Sequence, residues 1–331
     1  MDLDAYVAAK RASWNRLEKL VRRRRLSGSE SDELLDLYQR VSTHLSVIRS
    51  ASPDPTLVRY LSGLLTQARV VTSGRSVTTW RSAAGFLTRT FPAALYRLRW
   101  WWLAVTAVSV LLATLVAFWA LRHPEVYSAQ MTPEEIRAYV ETDFENYYSE
   151  FPHHEFATLV WTNNAWVAAI CIAFGVLGVP VVWLVGTNVI NVGVAAALMI
   201  AHGRGSLFFG LILPHGLLEL TAVFVAGGVG LRLFWSWIVP GSRTRLASFA
   251  HEGRTAIGVA LGLVVVLAVS GVIEGFVTPS SLPTWARIAI GVVAELAFLT
   301  YVWRVGGNAH RAGESGDLDE SILGPSVPAA A

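Results

Sequence analysis

Between residues 100 and 305 the sequence carries six stretches of twenty or more predominantly apolar residues. A helix needs about 20 such residues to cross a hydrocarbon layer roughly 30 Å thick. Backbone in lipid must satisfy its own hydrogen bonds, which leaves helices or closed barrels, and runs this long are helical. The spans are placed near Trp100–Leu121, Phe156–Gly178, Pro180–Ala201, Ser206–Ile238, Thr255–Val277 and Trp285–Val305. Only 15% of residues are charged and 53% are hydrophobic, against about 25% charged in a soluble domain. An ordinary soluble enzyme is excluded. The fold class expected is all-α: a polytopic membrane protein with six transmembrane helices and an N-terminal cytoplasmic helical domain. The fourth span would be roughly 50 Å long at about 1.5 Å per residue, with Pro214 as its expected kink. Trp100, Trp101, Trp102, Trp235 and Trp237 suit interfacial belts.

Charge orients the bundle. Residues 1–100 hold 17 Lys and Arg against 8 Asp and Glu, whereas residues 122–156 hold 2 against 8. Basic segments stay inside, so the expectation is a multi-pass protein of the cytoplasmic (inner) membrane. Both termini are then cytoplasmic, and an acidic loop, 122–155, lies outside. The start, Met1-Asp2-Leu3-Asp4, has no basic n-region or apolar h-region, so no cleavable signal peptide is expected. Three organisational regions follow. Residues 1–95 form a helical region that ends in an interfacial helix (about 77–95, with Trp80, Phe86, Leu87 and Phe91 beside Arg81 and Arg89). Residues 96–305 form the transmembrane domain. Residues 306–331, rich in Gly, Ala, Ser and Pro, read as a disordered tail. Within the first region, apolar positions at helical spacing give helices through Trp14–Leu20, Leu34–Leu45 and Leu57–Leu65. Ser29 or Ser31 can cap the second, and Ser52-Pro53-Asp54-Pro55 turns the chain into the third.

Polar groups inside spans carry the functional information, because unpaired ionisable groups there cost several kcal/mol. They are Asn163, Asn164, Asn188, Asn191, His215, Glu219, Glu274 and Glu295. Helical rise puts Asn163 about 10 Å below the outer face, His215 about 13 Å, Glu295 about 15 Å and Glu219 about 20 Å. Glu274 lies within a turn of the outer end. The shared depth predicts one polar cluster in the outer half of the membrane. His215 and Glu219, at i and i+4, share a helix face. They read either as a metal pair, proton relay or substrate contact, or as a neutral histidine fixing helix packing. Zinc usually takes at least three protein ligands, and nothing in the spacing of Glu274 or Glu295 adds one, so no metal site and no catalytic residue are expected. The asparagines suit interhelical hydrogen bonds. Pro214 and Gly216 shape the fourth helix, and Ala222, Ala226 and Gly230 form a ridge for close helix contact.

Beside a membrane, Arg22-Arg23-Arg24-Arg25 reads as a contact to anionic lipid headgroups rather than to nucleic acid. His153-His154-Glu155 reads as a solvated loop cluster. The single cysteine, Cys171, allows no intrachain disulfide. Nucleophile elbow, P-loop, dinucleotide fingerprint and zincin motif are all lacking, and no cofactor is specified.

Leu213-Pro214-His215-Gly216-Leu217-Leu218-Glu219-Leu220, followed by Ala226-Gly227-Gly228-Val229-Gly230-Leu231, resembles the signature helix of the stage II sporulation protein M family. Ile273-Glu274-Gly275-Phe276-Val277-Thr278-Pro279 resembles its second signature. Thr162-Asn163-Asn164 and Thr187-Asn188 match its asparagine positions, with Val189 where many members have Gly. Arg11-Ala12-Ser13-Trp14-Asn15-Arg16-Leu17 and Leu37-Tyr38 are similar to the longer actinobacterial branch. The resemblance implies a membrane anchor for envelope or peptidoglycan-remodelling proteins that is not itself the hydrolase. It also implies a MoxR-type cytoplasmic ATPase as a partner to look for.

Three functions are therefore compared. The first is a non-enzymatic envelope scaffold whose partners are membrane lipids and envelope or peptidoglycan-remodelling proteins, with a homo-oligomer allowed. The second is a transporter or lipid-handling permease, since the layout is analogous to ABC-2 exporter subunits at fold level. The third is an intramembrane hydrolase using His215, Glu219 and Glu274.

Overall fold

The structure is a computed structural model. It describes residues 3–23, 26–51, 54–72, 80–148 and 152–318. Among these, every regular element is helical. They divide into two compact units that part between Ser82 and Ala83.

The N-terminal unit is three helices: α1 (Leu3–Val21), α2 (Gly28–Ala51) and α3 (Pro55–Thr72). On α2 the buried residues Leu34, Leu37, Val41, Leu45 and Ile48 recur at three- and four-residue intervals, which makes one apolar stripe. They close a core with Trp14, Leu17, Leu20, Leu61, Leu64 and Ala68. Ser27, rather than Ser29 or Ser31, caps α2. Glu30 N–H donates to Ser27 Oγ and Ser27 N–H donates to Glu30 Oε2, at 3.3 and 2.9 Å, a reciprocal capping box. Asp54 caps α3 by accepting from Thr56 N–H at 2.7 Å. In the arginine run, Arg22 pairs with Glu18 at 2.5 Å and Arg23 with Glu30. Arg24 and Arg25 lie outside the described residues.

The division falls within α4 (Trp80–Gly85); a π turn at Phe86–Thr90 and α5 (Phe91–Arg97) follow in the second unit. Of the expected interfacial helix, residues 77–79 lie outside the described residues; at its end, Phe91, Pro92, Ala93, Ala94 and Leu95 are buried, so this last part packs within the bundle. The Phe91 ring sits against Gly262, where any side chain would collide. The sequence pattern hid this because Arg81 and Arg89 make the stretch look amphipathic.

Among the described residues, six helices are long and apolar enough to cross a membrane: Arg99–Arg122, His153–Leu177, Val179–Ala201, Gly205–Ile238, Arg245–Val277 and Thr284–Arg311. Their principal α-helices are α6 (Arg99–Arg122), α10 (His153–Ala173), α11 (Val179–Ala201), α12 (Gly205–Ile238), α13 (Arg245–Val272) and α14 (Thr284–Thr300). The short α7 (Glu125–Ser128), α8 (Pro133–Ala138) and α9 (Phe144–Asn146) lie between α6 and α10, and α15 (Gly307–Arg311) follows α14. The fifth span starts ten residues earlier than expected. Thr244 caps α13, accepting from Ala247 N–H at 3.3 Å, and Glu252 in its first turns is buried and paired with Arg97 and Arg232.

The central element is α12, which packs on α6, α10, α11, α13 and α14 and runs unbroken through Pro214. Its small residues allow the approach. A Cβ at Gly228 would stand 2.6 Å from the Trp102 Cα, and one at Gly230 would stand 2.5 Å from the Cys171 carbonyl oxygen. Trp102, the expected belt residue, is instead buried, and its indole N–H donates to the Leu95 carbonyl at 3.0 Å.

The acidic loop is not a free solvated connection. Tyr127 and Val140 form a cluster with Ala196, Leu198, Met199 and Phe208 at the adjoining ends of α11 and α12. Part of the expected tail is structured: α15 follows the sixth span and Leu318 is buried against Gly258, while residues 319–331 lie outside the described residues.

Candidate functional site

His215 and Glu219 project from one face of α12, four residues apart. Glu274 comes from the π turn Ile273–Val277 that ends the fifth span. In this wide turn Thr278 N–H reaches back five residues to the Ile273 carbonyl, at 3.0 Å; such bulges recur at functional sites. Gly275 lets the turn close on α10, for a Cβ there would stand 2.7 Å from both the Ala157 Cβ and the His153 carbonyl oxygen. The result is a convergence. One ligand-type atom from each of His215, Glu219 and Glu274 lies within 4.8 Å of the others.

His215 and Glu274 are each 4% exposed, and Glu219 is half-buried. His215 Nε2 is 3.7 Å from Glu274 Oε1, beyond hydrogen-bond distance. On the other side of the ring, Nδ1 is 3.3 Å from Thr278 Oγ1. Ser270 Oγ donates to the main-chain carbonyl of His215 at 3.1 Å and stands 3.5 Å from Glu219 Oε2. Asn164 on α10 hydrogen-bonds the Glu219 carboxylate. Glu274 Oε2 is buried with no hydrogen-bond partner.

Tyr148, from the acidic loop, covers the histidine. Its ring centroid is 5.8 Å from that of His215. It is 5% exposed and clusters with Phe156, Val160 and Leu211. Burial pushes its hydroxyl far above the usual tyrosine range, and the Glu274 carboxylate adds to this. Sequence reading missed Tyr148, Thr278 and Ser270. The signal for Tyr148 was an aromatic run, Phe144, Tyr147 and Tyr148, in an otherwise acidic loop.

The remaining candidates do not join the cluster. Asn163 and Asn191 are exposed on the outside of the bundle. Asn163 neighbours Asn164 and therefore points about 100° away around the helix. Asn188 on α11 has its Oδ1 buried and unpartnered. Glu295 accepts from Thr221 Oγ1 at 3.0 Å, on a face of α12 that lies about 200° from Glu219. Shared depth thus did not mean a shared cavity. Pro214, Gly216, Ala222, Ala226 and Gly230 are all buried on α12, as packing residues should be.

A second polar network occupies the opposite end of the spans. Buried Glu252 accepts from Arg97 at 3.2 Å and from Arg232 at 2.8 Å. Arg97 also donates to Thr255 at 2.5 Å. Asp317 in the tail pairs with His251 at 3.1 Å and Arg97 at 3.5 Å, and Thr255 hydrogen-bonds it.

Comparison with known proteins gives two family matches. The model for stage II sporulation protein M matches residues 104–279, more than half of the 331-residue chain. A domain of unknown function, DUF8413, matches residues 4–74. No curated protein and no solved structure matches significantly.

Proposed function

Because the chain belongs to the stage II sporulation protein M family, we propose that it is a non-enzymatic integral membrane scaffold of the cell envelope. It positions peptidoglycan- or envelope-remodelling proteins in the inner membrane, with both termini cytoplasmic and the acidic loop outside. The observation that supports this reading is how the two signature segments are used. Pro214, Gly216, Ala222, Ala226 and Gly230 are buried against neighbouring helices, and Gly275 brings the second signature onto α10. These segments hold a bundle together, and the bundle presents the loop and the two ends of its helices to partners. A MoxR-type ATPase on the cytoplasmic side fits the same role.

Affinity purification of the full chain from crosslinked host membranes tests this. Envelope-remodelling proteins should be enriched over an unrelated six-span control. A purified chain that by itself cleaves peptidoglycan or membrane-embedded peptide would overturn the scaffold. The topology has its own test, cysteine labelling in a Cys171→Ala background. Labelling of residues 122–148 from the cytoplasmic side alone would reverse the orientation.

A further inference from the structure

We propose that His215, Glu219 and Glu274 bind one divalent transition-metal ion, with zinc the best fit. The proposal is independent of the scaffold reading, since a metal here braces α12 to the end of the fifth span whatever the protein's partners are.

The Thr278 hydroxyl is 3.4 Å from the Ile273 carbonyl, which already accepts from Thr278 N–H, and 3.3 Å from His215 Nδ1. With the hydroxyl donating to that carbonyl its lone pair faces Nδ1, and a metal-binding His215 would take this tautomer, with the ring proton on Nδ1. Nε2 is left as a bare acceptor, and it points at the carboxylate of Glu274. Glu274 Oε2 is buried and unpartnered as well. Acceptors thus face acceptors in a site closed over by Tyr148, and only a cation or added protons can satisfy them.

Across α10, α12 up to Leu231, and the fifth span beyond Arg254, the chain has no Lys or Arg. The neighbouring cation is Arg287 on α14, and its guanidinium is engaged by the Thr278 carbonyl at 2.5 Å and the Thr284 hydroxyl at 3.2 Å. A divalent ion with two carboxylates and one neutral imidazole is a neutral assembly, the kind a buried intramembrane site can hold. The geometry suits it. Ligand atoms bound at about 2.0–2.1 Å in a tetrahedral site stand about 3.3 Å apart; the 3.7 Å between His215 Nε2 and Glu274 Oε1 needs a few tenths of closure, and the set as a whole, within 4.8 Å, needs a larger side-chain adjustment at Glu219. Three protein ligands match the count used by zinc sites that keep a water. Imidazole with carboxylates selects zinc, iron(II) or manganese(II) over the softer thiolate-preferring ions. The outer hydrogen bonds are in place: Thr278 orients His215, and Asn164 and Ser270 hold Glu219. Metal-binding histidines and carboxylates are ordinarily oriented in this way.

The test uses the full chain purified in detergent without chelator. Elemental analysis should find about one divalent ion per chain, mainly zinc, matching the three-ligand site. Chelation should lower the Tm, and zinc should restore it. Cobalt(II) added to the stripped protein should give the visible d–d absorption of nitrogen and oxygen ligands. Glu274→Gln and His215→Gln should each lose the ion, and Thr278→Val should weaken retention by about 10–100-fold. A wild-type chain with no stoichiometric metal, no Tm response and no cobalt absorption overturns the proposal and leaves the site to protons. Metal retained undiminished in both ligand variants overturns it too, by placing the ion elsewhere. If the variants fail to fold, the wild-type cobalt titration decides alone.

Discussion

Tyr148 lies over His215, with ring centroids 5.8 Å apart, although one residue belongs to the acidic loop and the other to the middle of a membrane-length helix. The loop is therefore part of the site's wall. Removing the ring should open it. Tyr148→Ala is expected to lower stability in detergent by about 3 kcal/mol, the usual cost of deleting a buried aromatic, and to expose His215 to diethylpyrocarbonate. Tyr148→Phe should keep the cover.

The same tyrosine gives an alkaline signature. Its hydroxyl is held above the ordinary range by burial, so the unfolded chain loses this proton first, near pH 10. Stability is complete below that pH and falls as pH rises beyond it. Thermal melts between pH 8 and 11 should show a steeper alkaline loss for the wild type than for Tyr148→Phe. Equal slopes would mean that Tyr148 is not enclosed.

Two glycines separate close packing from spare room. At Gly275 a methyl would stand 2.7 Å from the Ala157 Cβ, whereas at Gly186 nothing lies within 4 Å. Gly275→Ala should cost about 1–3 kcal/mol by overpacking. Gly186→Ala, in mid-helix on α11, should stabilise by about 0.4–1 kcal/mol. Chemical denaturation of the two variants in mixed micelles checks the pair, and a harmless Gly275→Ala would remove the account of how Glu274 is positioned.

The spans were legible because length and apolarity act locally, residue by residue. The N-terminal helices were legible because their three- and four-residue spacing is strong, as at Leu34, Leu37, Val41 and Leu45. What the sequence hid depends on azimuth and on distant pairing. Depth arithmetic put Asn163 and Glu295 roughly level with His215, but depth says nothing about which way a side chain points around its helix. Glu274 entered the site through a π turn, which no propensity announces. The network of Arg97, Arg232, Glu252 and Asp317 was not legible because its pairings depend on the fold, with 155 residues separating Arg97 from Glu252.

That network makes a directional prediction. Glu252 is 4% exposed and receives two guanidinium groups. Deleting it leaves Arg97 and Arg232 facing each other, so Glu252→Ala should cost about 3–5 kcal/mol, the usual penalty for breaking a buried pair. Asp317→Asn touches only the tail's attachment and should cost far less, while speeding proteolytic removal of the residues after Arg311. Limited proteolysis with mass spectrometry reads the second effect, and equal cleavage rates would show that Asp317 does not hold the tail.

His44 supplies an acid-side test in the N-terminal unit. Trp14 Nε1–H donates to its Nδ1 at 3.2 Å, which requires an unprotonated Nδ1, and burial lowers its pKa below the ordinary value, with Lys10 and Arg40 adding to the effect. The unfolded chain therefore takes up a proton at about pH 6.5 before the folded one does. Above that pH His44 contributes no pH dependence. As pH falls through it, stability is lost, and the loss levels off only below the folded pKa. Trp14 fluorescence during denaturant unfolding at pH 7.5, 6.5 and 5.5 should show the midpoint falling on the acid side in the wild type and flattening in His44→Gln, whose amide oxygen can still accept from the indole. A His44→Gln chain with an unchanged acid slope would assign that slope to another group.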